Sequence, residues 1–143
     1  ASRYRNEGER VAIIACGPAV AEAMRAAWIL RVEYGVDSRV LNLHTMKPLD
    51  VAAIRTAARE CGAVLTVEEH QVGGMGNQVS AAILTSPELR GTAVAMDMMG
   101  VPDRFGESGA PWELMREFEL TAEYIAARAR RLLGLDQAGS TRA

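Results

Sequence analysis

The chain has 143 residues, 49% of them hydrophobic and 24% charged, with a formal net charge of −2 at pH 7. A chain of that length builds one domain with an ordinary core, and its residue balance excludes a disordered or fibrous class. There is no Lys/Arg stripe to neutralise a nucleic-acid backbone, no apolar run near the roughly 18 to 20 residues of a membrane span, and no opening signal pattern, so a cytoplasmic protein without nucleic-acid or membrane partners is expected.

The opening "ASRYRNEGER" is polar and begins with Ala, which suits a fragment and a processed N-terminus equally. "VAIIAC" (11–16) is a continuous apolar run, the mark of a strand buried on both faces. Pro18 then suits the first turn of a helix carrying Val20, Ala23, Met24, Ala27 and Leu30, with Gly35 as its stop. "RVLNL" (39–43) reads as the next strand, and Asp50 caps a helix through Val51, Ile54, Ala58 and Cys61 that Gly62 ends.

"AVLTVEE" (63–69) is a third strand, followed by a glycine loop and a helix with Val79, Ala82 and Ile83 that is ended by Pro87. "TAVAMD" (92–97) follows as a strand, and helices from about Ala110 and Thr121 close the chain; Arg128, Arg130 and Arg131 fall in the last turns, where cations complement the helix dipole. "DQAGSTRA" reads as a frayed tail. Strands alternating with helices imply a three-layer α/β/α sandwich around a mostly parallel sheet.

In such sheets ligands gather beyond the carboxyl ends of the strands, which places His44 and His70 on one rim with Glu68, Glu69, Asp97 and Asp103. No metal-ligand or zincin spacing occurs among them. Gly73, Gly74 and Gly76 stand between a strand and a helix, where backbone N–H groups can cradle a phosphate. The third position of a dinucleotide fingerprint, however, holds Val79. The favoured reading of these glycines is that they permit a positive φ and a close backbone approach, within the domain or against a partner.

Cys16 and Cys61 lie in apolar surroundings without Cys-x-x-Cys spacing and read as buried thiols. Ser108 sits in Gly106-Glu107-Ser108-Gly109-Ala110, which is not a nucleophile elbow. The stretch from Phe105 to Ala110 reads as the link into a helix starting near Pro111.

"MKPLD" (46–50), "VEEHQVGGMGNQV" (67–79) and "GVPDRFGESGAPWELMREFELTAEYIAARARRLL" (100–133) together resemble the C-terminal domain of transketolases, in the same order and spacing. A looser similarity extends to 1-deoxyxylulose-5-phosphate synthase and to the β subunits of 2-oxo acid dehydrogenases. The resemblance assigns 1–134 to the domain and leaves 135–143 as a flexible tail. It implies a five-stranded sheet whose N-terminal edge strand, near "SRYR", runs antiparallel to the rest.

The resemblance also implies thiamine diphosphate and Mg²⁺ chemistry in the parent enzyme, held by pyrimidine-binding and diphosphate-binding domains, and a homo-oligomer. The Gly-Asp-Gly segment that holds the diphosphate in this family does not occur here, and the activating glutamate belongs to a domain that would precede Ala1. No catalytic, cofactor-binding or metal-binding residue is therefore assigned, and the isolated domain is expected to be inactive. His70, Gly73, Gly74, Gly76, Phe105 and Ser108 are the candidate interface, or an anion loop if the chain is an anion- or nucleotide-binding regulatory module. The family commonly has Gly where this chain has Glu119; a left-handed helix stop there would cost roughly 1 kcal/mol.

Overall fold

The computed structural model describes residues 2–4, 8–44, 48–71, 74–101, 116 and 120–135, with residues 2–4, 70 and 71 described by their backbone alone. In chain order the elements are β1 (Ser2–Tyr4), β2 (Val11–Ala15), α1 (Ala19–Tyr34), β3 (Ser38–Asn42) and α2 (Val51–Cys61). They continue with β4 (Ala63–Gln71), α3 (Gly74–Leu84), a 3-10 turn (Pro87–Leu89), β5 (Ala95–Val101) and α4 (Ala122–Leu132).

The strands form one sheet in the order β1-β3-β2-β4-β5. β2, β3, β4 and β5 run parallel, and β1 lies antiparallel on β3 at the edge, as the resemblance implies. β2 is central, and all five of its residues are buried, which is why it reads as an unbroken apolar run. Val11, Ile13 and Ala15 face α1 and α4, while Ala12 and Ile14 face α2 and α3.

Local chemistry accounts for most boundaries. Asp50 Oδ1 accepts the Ala53 N–H at 3.2 Å, capping α2, and Gly62 ends it with φ 79°. Gly35 closes α1 with φ 65°, its N–H donating to the Arg31 carbonyl at 3.1 Å. Buried Ala19, Ala23 and Ala26 let α1 lie close on the sheet.

Three expectations shift. β5 starts at Ala95, not Thr92, because pairing begins where the Ala95 N–H meets the Gly62 carbonyl at 3.1 Å, and it runs on to Val101. α3 ends at Leu84, and Pro87 opens the 3-10 turn instead of ending the helix. Thr121 stands at the N-cap of α4 without a side-chain hydrogen bond; the Ala122 N–H donates instead to Glu22 of α1 at 2.9 Å. The link at 105–110, the helix expected from Ala110, Glu119 and the tail from 136 onward lie outside the described residues. Among the described residues, no helix is long and apolar enough to cross a membrane.

Candidate interface cleft at the carboxyl rim

Parallel register places the ends of three strands together, since Ala15 is opposite both Asn42 of β3 and Val67 of β4. The residues that follow, Cys16, Gly17, Leu43 and His44, then surround a cleft of about 660 Å³ closed on its far side by Glu68, Gly74 and Met75. His44 is exposed at this rim. Gly17 turns with φ 60°, and a Cβ there would stand 3.4 Å from Glu69 Oε1.

The centre of the arrangement is Glu68, whose residue surface is only 1% exposed. Its Oε1 accepts the Met75 N–H at 2.9 Å and its Oε2 accepts the Gly76 N–H at 3.0 Å. A buried carboxylate on β4 thus satisfies two orphan donors of the α3 N-terminus and compensates its own charge with the helix dipole. The N–H groups that a phosphate would use at these two positions are already engaged.

Gly74 and Gly76 lie in the first turn of α3, not in a loop, and neither has a positive φ. What they supply is room: a Cβ on Gly74 would stand 2.9 Å from Glu68 Oε1, and one on Gly76 would overlap Met98 Sδ and lie 3.0 Å from Thr66 Oγ1. The close-approach reading of these two glycines therefore holds, and the positive-φ reading does not.

Electrostatics at the cleft keep Cys16 a thiol. It is half-buried, not fully buried, and its pKa is raised by burial first and then by the Glu68 and Glu69 carboxylates. Cys61 is likewise half-buried, and neither cysteine forms a disulfide. Among the described residues no three His, Cys, Asp or Glu side chains gather as a metal-ligand set.

The structure places the backbone of His70 near the carboxyl end of β4, on the same rim. Gly73, Phe105, Ser108 and Asp103 lie outside the described residues. Asp97 does not belong to the rim: it stands opposite Leu65, early in β4, and pairs with Arg128 of α4 at 2.7 Å. Sequence reading put it at a strand end only because β5 was ended too soon.

Two polar clusters escaped the sequence. One is the Glu68 anchor, for which the available signal was position: Val64, Thr66 and Glu68 share a face of a strand buried on both sides, so Glu68 needed an internal partner. The other lies toward the opposite end, where buried Arg39 donates to Glu9 and pairs with Glu60, each at 2.7 Å. Burial opposes the Arg39 charge, but the hydrogen bonds to Glu60 and Glu9 outweigh it and raise its pKa.

Comparison with known proteins agrees with this geometry. The sequence model described as "Transketolase, C-terminal domain" matches residues 1–125. The chain is 42% identical to the 1-deoxy-D-xylulose-5-phosphate synthase of Thermomicrobium roseum over 85% of its own length, which is 19% of that protein. It is 37% identical to an apulose-4-phosphate transketolase subunit of Phocaeicola vulgatus, covering 86% of this chain and 38% of that one. A structure titled "Split gene transketolase, inactive beta4 tetramer" superposes with a TM-score of 0.77 at 35% identity, covering 90% of this chain and 41% of that one. The chain thus spans less than half the length of each of these relatives. On the match, the strand order and the antiparallel edge strand together, the chain belongs to the transketolase C-terminal domain family.

Proposed function

We propose that this chain is the C-terminal section of a cytoplasmic transketolase-type enzyme that transfers ketol units between sugar phosphates, and that its part in the reaction is assembly. The supporting observation is the Glu68 anchor. With both carboxylate oxygens bound to Met75 and Gly76, the start of α3 at the rim is held by the protein itself, which suits packing against protein better than capture of an anion.

The same observation bears on the cofactor of the parent enzyme. The cleft is lined by the Glu68 carboxylate, and the Glu69 carboxylate stands beside Gly17 at its edge, so it offers two negative charges where a diphosphate needs positive ones or free N–H donors. These residues do not fit the group, so cofactor and Mg²⁺ are assigned to the pyrimidine-binding and diphosphate-binding domains. No chemical step is assigned to this chain. His70 is assigned a role in holding the rim, and His70, Gly73, Gly74, Gly76, Phe105 and Ser108 are assigned to contact with those domains or with a second subunit of a homo-oligomer.

Calorimetry tests the assignment directly. The 143-residue chain should give no saturable heat with thiamine diphosphate and Mg²⁺, with ADP or with a ketose phosphate. Ketol transfer should arise only when the chain is combined with the companion domains of a split transketolase. Micromolar binding of a nucleotide or phosphate by the chain alone would replace this reading with that of a regulatory anion-binding module.

A further inference from the structure

Among the described residues β5 is the terminal strand of the sheet, and two side chains acting together occupy the middle of its edge. In a parallel pair, alternate residues of a strand turn both their N–H and C=O toward the same neighbour. Because Ala95 N–H donates to Gly62 of the β4 side, Ala95, Asp97 and Met99 point inward, while Met96, Met98 and Gly100 turn theirs outward. Met98 is the middle residue of that outward row.

Both outward groups of Met98 are taken. Its N–H donates to Asp97 Oδ1 at 2.8 Å, and its carbonyl accepts Arg128 Nη2 at 3.2 Å. Arg128 in turn holds the same carboxylate, Nε to Oδ2 at 2.7 Å and Nη2 to Oδ1 at 3.0 Å. The result is a closed ring of hydrogen bonds around one peptide position of the edge, anchored in α4.

We infer that Asp97 and Arg128 guard the β5 edge against strand addition, and that removing them opens β5 to pairing with β5 of a second copy of the domain. The strand itself favours such pairing: "AMDMMGV" carries Asp97 as its only charge and contains no Pro. An incoming strand needs the Met98 N–H and C=O, and the ring withholds both while placing two charges in its path. This inference does not depend on the enzymatic assignment.

The Asp97→Ala/Arg128→Ala double variant, compared with the wild-type chain by sedimentation and infrared spectroscopy, tests it. The variant should gain a concentration-dependent species of double mass, or larger, with an intermolecular antiparallel sheet band that the wild type lacks. Ile54→Val, which loosens the opposite layer, should gain no such species. A folded double variant with the wild-type mass distribution overturns the inference, and so does equal association by Ile54→Val. If the double variant does not fold, Arg128→Ala alone decides. It should associate and exchange its Met98 amide faster than the wild type, and a folded Arg128→Ala that does neither overturns the inference.

Discussion

Gly74 passes so close to Glu68 that a Cβ on it would lie 2.9 Å from Oε1, and the same carboxylate binds the next two backbone N–H groups of α3. Strand end and helix start are therefore one unit. Glu68→Ala should lower the free energy of unfolding by about 1.5–3 kcal/mol, because charge-assisted hydrogen bonds are lost and two donors are left in an apolar layer. Urea denaturation of the chain measures it. A loss under about 0.5 kcal/mol would mean that water replaces the carboxylate without cost.

Gly76 separates two meanings of a glycine. Gly76→Ala should destabilise by about 1–2 kcal/mol despite the better helix propensity of Ala, since its Cβ needs the space held by Met98 and Thr66. The double variant Gly76→Ala/Met98→Ala should recover part of that loss, with a coupling of about 1 kcal/mol in a double-mutant cycle. Gly35→Ala has open space but φ 65°, so it should cost about 1 kcal/mol through backbone strain alone and show no coupling to Met98.

Acid should act through Asp97. Its folded pKa is lowered, first by the Arg128 hydrogen bond and further by the Met98 N–H, against an opposing effect of burial. A depressed carboxylate pKa gives stability that is present above the unfolded value of 3.8 and is lost as pH falls through the lower folded value. Melting temperatures taken from pH 5 downward should fall more steeply for the wild type than for Asp97→Asn. Parallel curves would remove Asp97 from the acid response.

Cys16 should alkylate slowly. With burial and two carboxylates raising its pKa, iodoacetamide at pH 8 should modify it several-fold more slowly than a free thiol of pKa near 8.5. Mass spectrometry of a Cys61→Ser variant isolates the site. Reaction at the rate of a free thiol would contradict the arrangement of Glu68 and Glu69 around it.

The fold was legible where a local rule and the global sheet agreed. "VAIIAC" gave a central strand, Asp50 and Gly62 bracketed α2 as written, and Gly35 stopped α1. Asp97 was misread because charge in an apolar run looks like the end of a strand, whereas here Arg128, a residue 31 positions away, lets the strand continue past it. Glu68 was placed on the rim but not as a buried anchor, and Arg39 was passed over, because their partners lie far along the chain or on the backbone: the α3 N–H groups in one case and Glu9 and Glu60 in the other.

The hydrogen bond from Ala122 to Glu22 spans 100 residues and joins the last helix to the first. Among the described residues, the layer of α2 and α3 draws its buried residues from Ala12 to Leu89, whereas the layer of α1 and α4 includes Leu120, Ile125 and Ala129 as well. During synthesis the two faces of the sheet are thus completed at different times. A nascent chain that has just delivered β5 can dress one face, while Ala26 and Leu30 of α1 still await their cover and Glu22 its backbone partner. Release of the chain at that stage would leave apolar residues of α1 without the cover that α4 gives them, the kind of exposed surface that promotes association of unfinished chains.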